Sequence, residues 1–410
     1  MRKIPLLAAI SLAASAGALG SIVPTAHAAT GHGSDVHSVH SCATAAASSA
    51  ACDAVHLVDA KGRNVSNTGR IQPAAAANGK PVQPSAISGK TPGDIQSAYK
   101  LSGLSSSGRT VAIVDAYGYP NAERDLGVYR SQFGLASCTT SNGCLTIMSQ
   151  TGSTSNLPRT DVGWSQEQAL DLDTVSAACP DCKIVLVQAK SASFADLGAA
   201  VNQAAKVPGV VAISNSYGGG DAADATYGSY YNHAGIAVTA STGDNGYQGA
   251  SFPASSHYVT AVGGTSLNTA SNSRGWTESA WSGAGSGCTT LNVAPSGQDS
   301  SVTHCSGRAM ADVSADADPN TGLAVYAPTS SRSSSWAQYG GTSLSSPLVA
   351  SVYALSGNTS GYANTKPYAN PSALFDVTTG SNGSNQYWSN AGTGWDGPTG
   401  LGTPNGPAAF

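Results

Sequence analysis

The sequence predicts an α/β fold, a doubly wound sheet of mostly parallel strands with helices on both faces. Three observations predict it. Residues 110–114, 184–187, 210–213, 236–239 and 258–262 are short, continuous apolar runs rich in β-branched residues, as strands buried on both faces require. Helical patterns at 121–133, 166–178 and 194–205 fall between several of these runs, and strand alternating with helix builds a parallel sheet covered on both sides. Polar or Gly-rich segments follow the runs: Asp115 after the first, residues 216–220 after the third and residues 242–246 after the fourth. Sites in such sheets collect at the carboxyl ends of the strands, and glycines there let a substrate backbone approach closely. Residues 343–355 read as a further helix, and no internal repeat is visible.

Ahead of this region the chain reads differently. Met1-Arg2-Lys3 is a basic start, residues 4–23 are largely apolar, and Ala26-His27-Ala28 supplies small residues before a cut. That pattern is a secretory signal peptide over residues 1–28. A membrane anchor is the weaker reading, because Gly and Ser interrupt the run and no second span of membrane length follows. Residues 29–90, rich in Ala, Ser, Asn and Pro without a sustained period, are expected to be a propeptide or flexible linker. Residues 91–410 form the globular domain. The expected location is therefore secreted, extracellular.

Composition narrows the partners. Charged residues are only 10% and the formal net charge is −4, which gives no electrostatic case for nucleic acid or an anionic membrane. The eight cysteines fall into four close sequential pairs. In an exported chain an even count reads as disulfides, with the pairing left open by sequence. Cys179-Pro180-Asp181-Cys182 has CxxC spacing, but no second CxxC exists to complete a zinc site, so a short structural disulfide is expected.

The candidate chemistry begins at Gly341-Thr342-Ser343, which precedes an apolar helical pattern with Pro347 in its first turn. A serine there gains from the helix dipole and free N–H groups; the plainer role is an ordinary N-cap. A serine nucleophile needs a base. Of the eight histidines, His27, His32, His37, His40 and His56 precede the globular region, and none of the eight sits in an HGT context. The other candidates are carboxylates. Glu167 and Asp171, four apart on a predicted helix, share one face; alone, such a pair reads as a solvated acidic stripe.

Several motifs then resemble one family. Gly341-Thr342-Ser343-Leu344-Ser345-Ser346-Pro347 matches the GTSxxxP motif shared by subtilisins and sedolisins. Residues 241–246 (STGDNG) resemble the sedolisin SGDxG element, in which Asp replaces the oxyanion-hole Asn of subtilisins. Glu167-Gln168-Ala169-Leu170-Asp171 matches the sedolisin ExxLD helix motif. Residues 252–256, 262–265 and 312–322 are similar too, and residues 91–99 resemble the start of the mature enzyme. The resemblance to the sedolisins, serine-carboxyl peptidases, covers residues 91–410 in the right order. It implies a subtilisin-like form of the doubly wound sheet and a secreted, acid-active serine-type endopeptidase. Transferred residue by residue, Ser343 is the nucleophile, Glu167 the general base and then acid, Asp171 its orienting partner and Asp244 the oxyanion donor. Asp115 stands where some relatives carry Glu, Tyr217 where relatives often have Trp, and the segment before Thr91 is shorter than the folded activation domain usual in the family.

The resemblance also implies one structural calcium ion. Its ligands would be the Asp376 and Asp396 carboxylates and the Val377, Gly392 and Gly394 carbonyls, hard oxygen donors on a Gly-rich loop. Expected partners are protein or peptide substrates, with no nucleic acid and no membrane after signal removal, and the chain is expected to be monomeric. Three other readings remain: a histidine-dependent subtilisin-type peptidase using Asp115, a catalytically silent secreted binding protein on the same scaffold, and an esterase using Ser343, although no GxSxG elbow surrounds it.

Overall fold

The computed structural model describes residues 36–73, 81–83 and 86–410. The expected signal peptide at 1–28 and the start of the 29–90 segment lie outside the described residues. The chain runs β1 (His37–His40), β2 (Ala50–Cys52), β3 (Val55–Val58), α1 (Pro92–Ala98), β4 (Thr110–Ala116), α2 (Ala122–Gln132), β5 (Leu145–Ser149), α3 (Val162–Ala178), β6 (Lys183–Ala189), α4 (Phe194–Ala204), β7 (Val210–Asn215), β8 (Tyr217–Gly220), β9 (Ala237–Ser241), β10 (Ser251–Phe252), β11 (Thr260–Thr269), β12 (Trp276–Ala280), β13 (Gly287–Thr289), β14 (Arg308–Met310), β15 (Val313–Asp316), β16 (Leu323–Pro328), β17 (Ser334–Gly340) and α5 (Thr342–Ser356), with single turns of helix between.

The central sheet has the order β12-β11-β9-β7-β4-β6-β5, with β15 beside β11. All neighbours are parallel except β12, which runs antiparallel to β11. Every residue of β4 is buried, and successive side chains enter different cores, as the period of two demands. Val111 and Ile113 join Leu170, Leu172, Leu348 and Val352 from α3 and α5. Ala112 and Val114 join Phe194, Leu197 and Val201 from α4. The sheet is therefore covered on both faces, as the continuous apolar runs predicted.

Local signals start the helices. Thr91 accepts from the Asp94 N–H while Asp94 accepts from the Thr91 N–H, closing a capping box on α1. Asp161 caps α3 through the Trp164 N–H at 3.1 Å, so α3 begins at Val162, four residues before the apolar pattern becomes legible. α3 is buried nearly all round, its acids included.

Residues 36–73 belong to the segment expected to be a propeptide or flexible linker, and they carry strands: β1, β3, β17 and β16 form one antiparallel sheet, and β2, β8 and β10 form another. Strands of three or four residues find their partners at residues 217–220 and 334–340, and no local period reports pairing over that distance. The disulfides join Cys42–Cys52, Cys138–Cys144, Cys179–Cys182 and Cys288–Cys305. The CxxC pair is thus a disulfide, as expected.

Among the described residues one ion pair is wholly buried. Arg308 Nη2 donates to Asp312 Oδ2 at 2.5 Å and Nη1 to Oδ1 at 2.7 Å, with both side chains at 0% exposure. Asp312 also accepts from the Ala261 N–H at 2.8 Å and ties β14 to the start of β11. Removing one partner strands the other's charge in the interior. Arg308→Leu is expected to cost roughly 3–5 kcal/mol of stability, read from the midpoint of guanidinium unfolding; a cost within about 0–1 kcal/mol, the range of surface pairs, would contradict this account.

Candidate active site

Two helices deliver the central groups. Ser343 is the second residue of α5, whose N-cap is Gly341 with no side-chain cap. Ser343 is therefore not the N-cap; its hydroxyl donates to Glu167 Oε2 at 2.8 Å and lies 3.3 Å from the Ser216 carbonyl. Pro347 lies inside the helix, in its second turn. Lacking an N–H, it cannot bond the Ser343 carbonyl four residues back; the Ser216 hydroxyl lies 3.5 Å from that carbonyl instead. Gly341 has φ +94°, and a Cβ there would overlap the Asp53 carbonyl and crowd Asp244 Oδ2. Only glycine suits both the angle and the approach.

Glu167 and Asp171 share the face of α3 turned to α5, and both are 0% exposed. The solvated-stripe reading therefore does not hold. Asp171 Oδ1 accepts from the Ser216 hydroxyl at 2.8 Å. Glu167 Oε1 and Asp171 Oδ2 are buried and receive no hydrogen from a conventional donor, which leaves a proton shared between the carboxyls to join them. Asp115, on β4, lies beyond, fully buried with both oxygens unpartnered. Burial first, then the neighbouring acids, pushes Glu167 and Asp115 well above the usual carboxylate range. Burial does the same to Asp171 against the opposing pull of its hydrogen bonds.

Asp244 follows β9. Its Oδ1 accepts the Thr342 N–H at 2.7 Å and the Thr342 hydroxyl at 2.8 Å, while Oδ2 is buried without a partner. Burial, reinforced by the charge of Asp53, raises its pKa well above the usual range. With Oδ1 already accepting two hydrogens, Oδ2 is the oxygen left to carry a proton. The four residues expected from sequence, Ser343, Glu167, Asp171 and Asp244, thus meet at one place.

Sequence reasoning missed Asp53. It lies between β2 and β3, and its Oδ2 accepts from the Ser241 hydroxyl at 2.7 Å. Burial holds its pKa up to about 7. No pattern in the 29–90 segment points to it. Among the described residues, no histidine hydrogen-bonds the Ser343 hydroxyl. His56 stacks on Tyr339 at 4.8 Å, and burial lowers its pKa to about 4.

The C-terminal loop brings Asp376 to Gly394 and Asp396 to Gly392, through the N–H groups of the two glycines. Asp376, just after Leu374–Phe375, accepts from the Gly394 N–H at 3.1 Å. Asp396 accepts from the Gly392 N–H at 3.1 Å and the Thr399 N–H at 2.9 Å. Burial chiefly, with a contribution from Asp376, raises Asp396 to about 7.

Residues 152–369 match the family model described as the Subtilase family. The chain is 30% identical to kumamolisin of Bacillus sp. (strain MN-32), over 79% of this chain and 63% of that one. It is 29% identical to sedolisin of Pseudomonas sp. (strain 101), over 77% and 60%. The chain thus spans about three fifths of the length of these curated relatives. Among solved structures, Pseudomonas sedolisin, a serine-carboxyl proteinase complexed with two molecules of pseudo-iodotyrostatin, superposes with a TM-score of 0.64 at 28% identity, over 78% of this chain and 96% of that one.

The raised acids set the sign of the pH dependence of stability. A carboxyl whose pKa is higher folded than unfolded keeps its proton longer in the fold, so its contribution is complete below the unfolded value and fades as pH rises through the folded one. Here the window opens near the ordinary value of 3.8 and extends through about 7, where Asp53 titrates. The melting temperature is expected to be highest near pH 4 and to fall by roughly 5 °C or more by pH 7. A melting temperature that climbs across that interval would contradict the buried-acid assignment.

Proposed function

The chain belongs to the subtilase family and to its sedolisin, serine-carboxyl group, and from that premise we propose that it is a secreted serine-type endopeptidase, active in acid, with a Ser343–Glu167–Asp171 triad and Asp244 as oxyanion donor. The observation that carries this reading is the 2.8 Å hydrogen bond from the Ser343 hydroxyl to Glu167 Oε2. A base must sit within such reach of the proton it takes. In the proposed cycle Ser343 Oγ attacks the peptide carbonyl carbon and its proton passes to Glu167. The shared proton between Glu167 and Asp171 keeps the pair from carrying two adjacent charges. The neutral Asp244 carboxyl donates from Oδ2 to the oxyanion, and its Oδ1 is anchored by Thr342. Glu167 returns the proton to the leaving amine, then takes one from the water that cleaves the acyl ester. In acid a histidine base would already be protonated, whereas a carboxyl still accepts and releases protons. Secretion is supported by the basic and apolar start and by the four disulfides. No helix among the described residues is long and apolar enough to cross a membrane. The proposed partners are protein or peptide substrates, with the chain acting as a monomer.

Ser343→Ala and Glu167→Gln are each expected to lower turnover of an unstructured protein by about 10⁴-fold or more, because nucleophile and base act as a unit. Activity should peak below about pH 6. Digestion followed by mass spectrometry from pH 3 to 9 reads both. Near wild-type turnover in either folded variant, or a profile rising only from pH 7 to 9, would remove the mechanism.

A calcium ion suits the C-terminal loop. Asp376 and Asp396 are two hard carboxylates close enough for one to raise the other's pKa, and a divalent cation would relieve that repulsion. Asp376, Asp396 and the carbonyls of Val377, Gly392 and Gly394 would hold it. Calcium is expected to raise the melting temperature by several degrees over a chelator-treated sample, through mass action on the folded state, and Asp396→Ala to abolish the difference. Equal melting temperatures together with no metal by elemental analysis would remove the site.

A further inference from the structure

Resting on the peptidase reading above, we propose that Tyr247, Trp388, Tyr387 and His304 form an exosite: a row of rings, leading away from the cavity beside Asp244, that holds the part of a long, unstructured protein substrate lying outside the catalytic groove. The rings follow one another in space although they come from three segments of the chain. Tyr247 and Trp388 are stacked, with centroids 6.2 Å apart and planes 19° apart. Trp388 and Tyr387 lie 6.1 Å apart, and Tyr387 and His304 4.5 Å apart. The outer end of the row faces water. Tyr387 is 46% exposed, His304 is exposed, and Val302, in the helical turn that ends beside His304, is 52% exposed. Trp388 and Tyr247 are half-buried.

Hydrogen bonds hold each ring in place. The Asn385 side chain accepts from the Tyr387 N–H at 2.9 Å and the Trp388 N–H at 3.2 Å, and donates to the Tyr247 hydroxyl at 3.2 Å. The Trp388 indole donates to the Thr303 carbonyl at 2.8 Å. His304 stands between Thr303 and Cys305, and Cys305 is tied to Cys288. The Tyr247 N–H donates to the Asn382 carbonyl at 2.9 Å. The inner end of the row is continuous with the catalytic site. A cavity of about 420 Å³ opens beside Asp244, and Gly246 and Gln248 are in its wall. Tyr247 sits between those two residues, so a chain that leaves the cavity along this wall meets its ring first. None of the four is Lys, Arg, Asp or Glu, so the row itself offers no charge to select an anionic polymer. Tyr and Trp supply large contact area at low entropic cost, and rings already fixed lose little more on binding. The groups that match them are apolar and aromatic side chains, which a folded protein withdraws from its surface. The occupant is therefore an unfolded stretch of polypeptide, the same material that enters the groove.

Steady-state kinetics of the full chain in acid test this, with two substrates: an unstructured protein, and a short peptide that spans only the scissile bond and its immediate neighbours. Tyr387→Ser combined with His304→Ser is expected to raise the KM of the protein by about 3–10-fold, with kcat unchanged, the mark of lost uniform binding. The KM of the short peptide should not follow. Tyr387→Phe keeps the ring and should keep the KM of the protein. Leu104→Ser removes an apolar side chain of similar exposure, 41%, ahead of the amino end of β4, and should move neither KM. Tyr387→Ser alone decides the matter if the double variant no longer turns over the short peptide. An unchanged KM for the protein, or an equal rise for both substrates, would overturn the exosite and leave the peptidase reading standing. So would an unchanged KM with lost adsorption to insoluble cellulose, which would assign the row to a polysaccharide. Turnover of neither substrate by the unsubstituted chain would overturn the peptidase reading and the exosite with it.

Discussion

Glu167, Asp171 and Asp115 lie buried in one row, and the charges acting on Glu167 are those of Asp171, Asp115 and Asp53, all acidic. Taking even one carboxylate out of water is costly, and adjacent ones cannot all ionise. The row persists because the fold supplies protons and hydroxyl donors where cations would otherwise be needed. Ser343 donates to Glu167 and Ser216 to Asp171. Much else follows from this requirement. α3 must be buried on nearly every side, so its polar residues face partners and not water. Asp244 obeys the same rule across the site, with one oxygen satisfied twice by Thr342 and the other left to hold a proton.

Placement of the row is a consequence of sheet order. β4, β7 and β9 are neighbours and parallel, so their carboxyl ends open on one edge. Asp115 near the end of β4, Ser216 after β7 and Asp244 after β9 therefore converge, although they are far apart in sequence. α3 and α5 pack on one face of that sheet, and α5 presents Ser343 from its first turn. The missing N–H of Pro347 frees the Ser343 carbonyl for the Ser216 hydroxyl, so a single loop residue contacts the backbone of Ser343 and the Asp171 carboxylate.

The parts legible in the sequence were those with local signals. The continuous apolar runs marked β4, β6, β7 and β9, and the helical periods marked α2 to α5, to within a few residues, while the run at 258–262 caught only the start of β11. The convergence of Ser343, Glu167, Asp171 and Asp244 was legible because each lies in a motif whose order along the chain is distinctive. What stayed hidden depended on long-range pairing. β1, β2 and β3 are too short to show a period, and their hydrogen bonds come from β8 and β17. Asp53 was invisible for the same reason, since an acid in a polar segment looks solvated until its strand neighbours bury it. The start of α3 was missed because Asp161 and Trp164 set it through a cap, outside the apolar pattern.

The groove also explains why that polar segment is ordered at all. β8 and the end of β17 present backbone edges toward the space above Ser343, and an unpaired edge invites another strand. Gly218, Gly219 and Gly340 keep those edges bare of side chains. Residues 50–56 complete both edges with backbone hydrogen bonds, and such bonds demand no particular side chains from the occupant. Between the edges lie Asp53 and Ala54, where Asp53 accepts from Ser241 and its charge acts on Asp244.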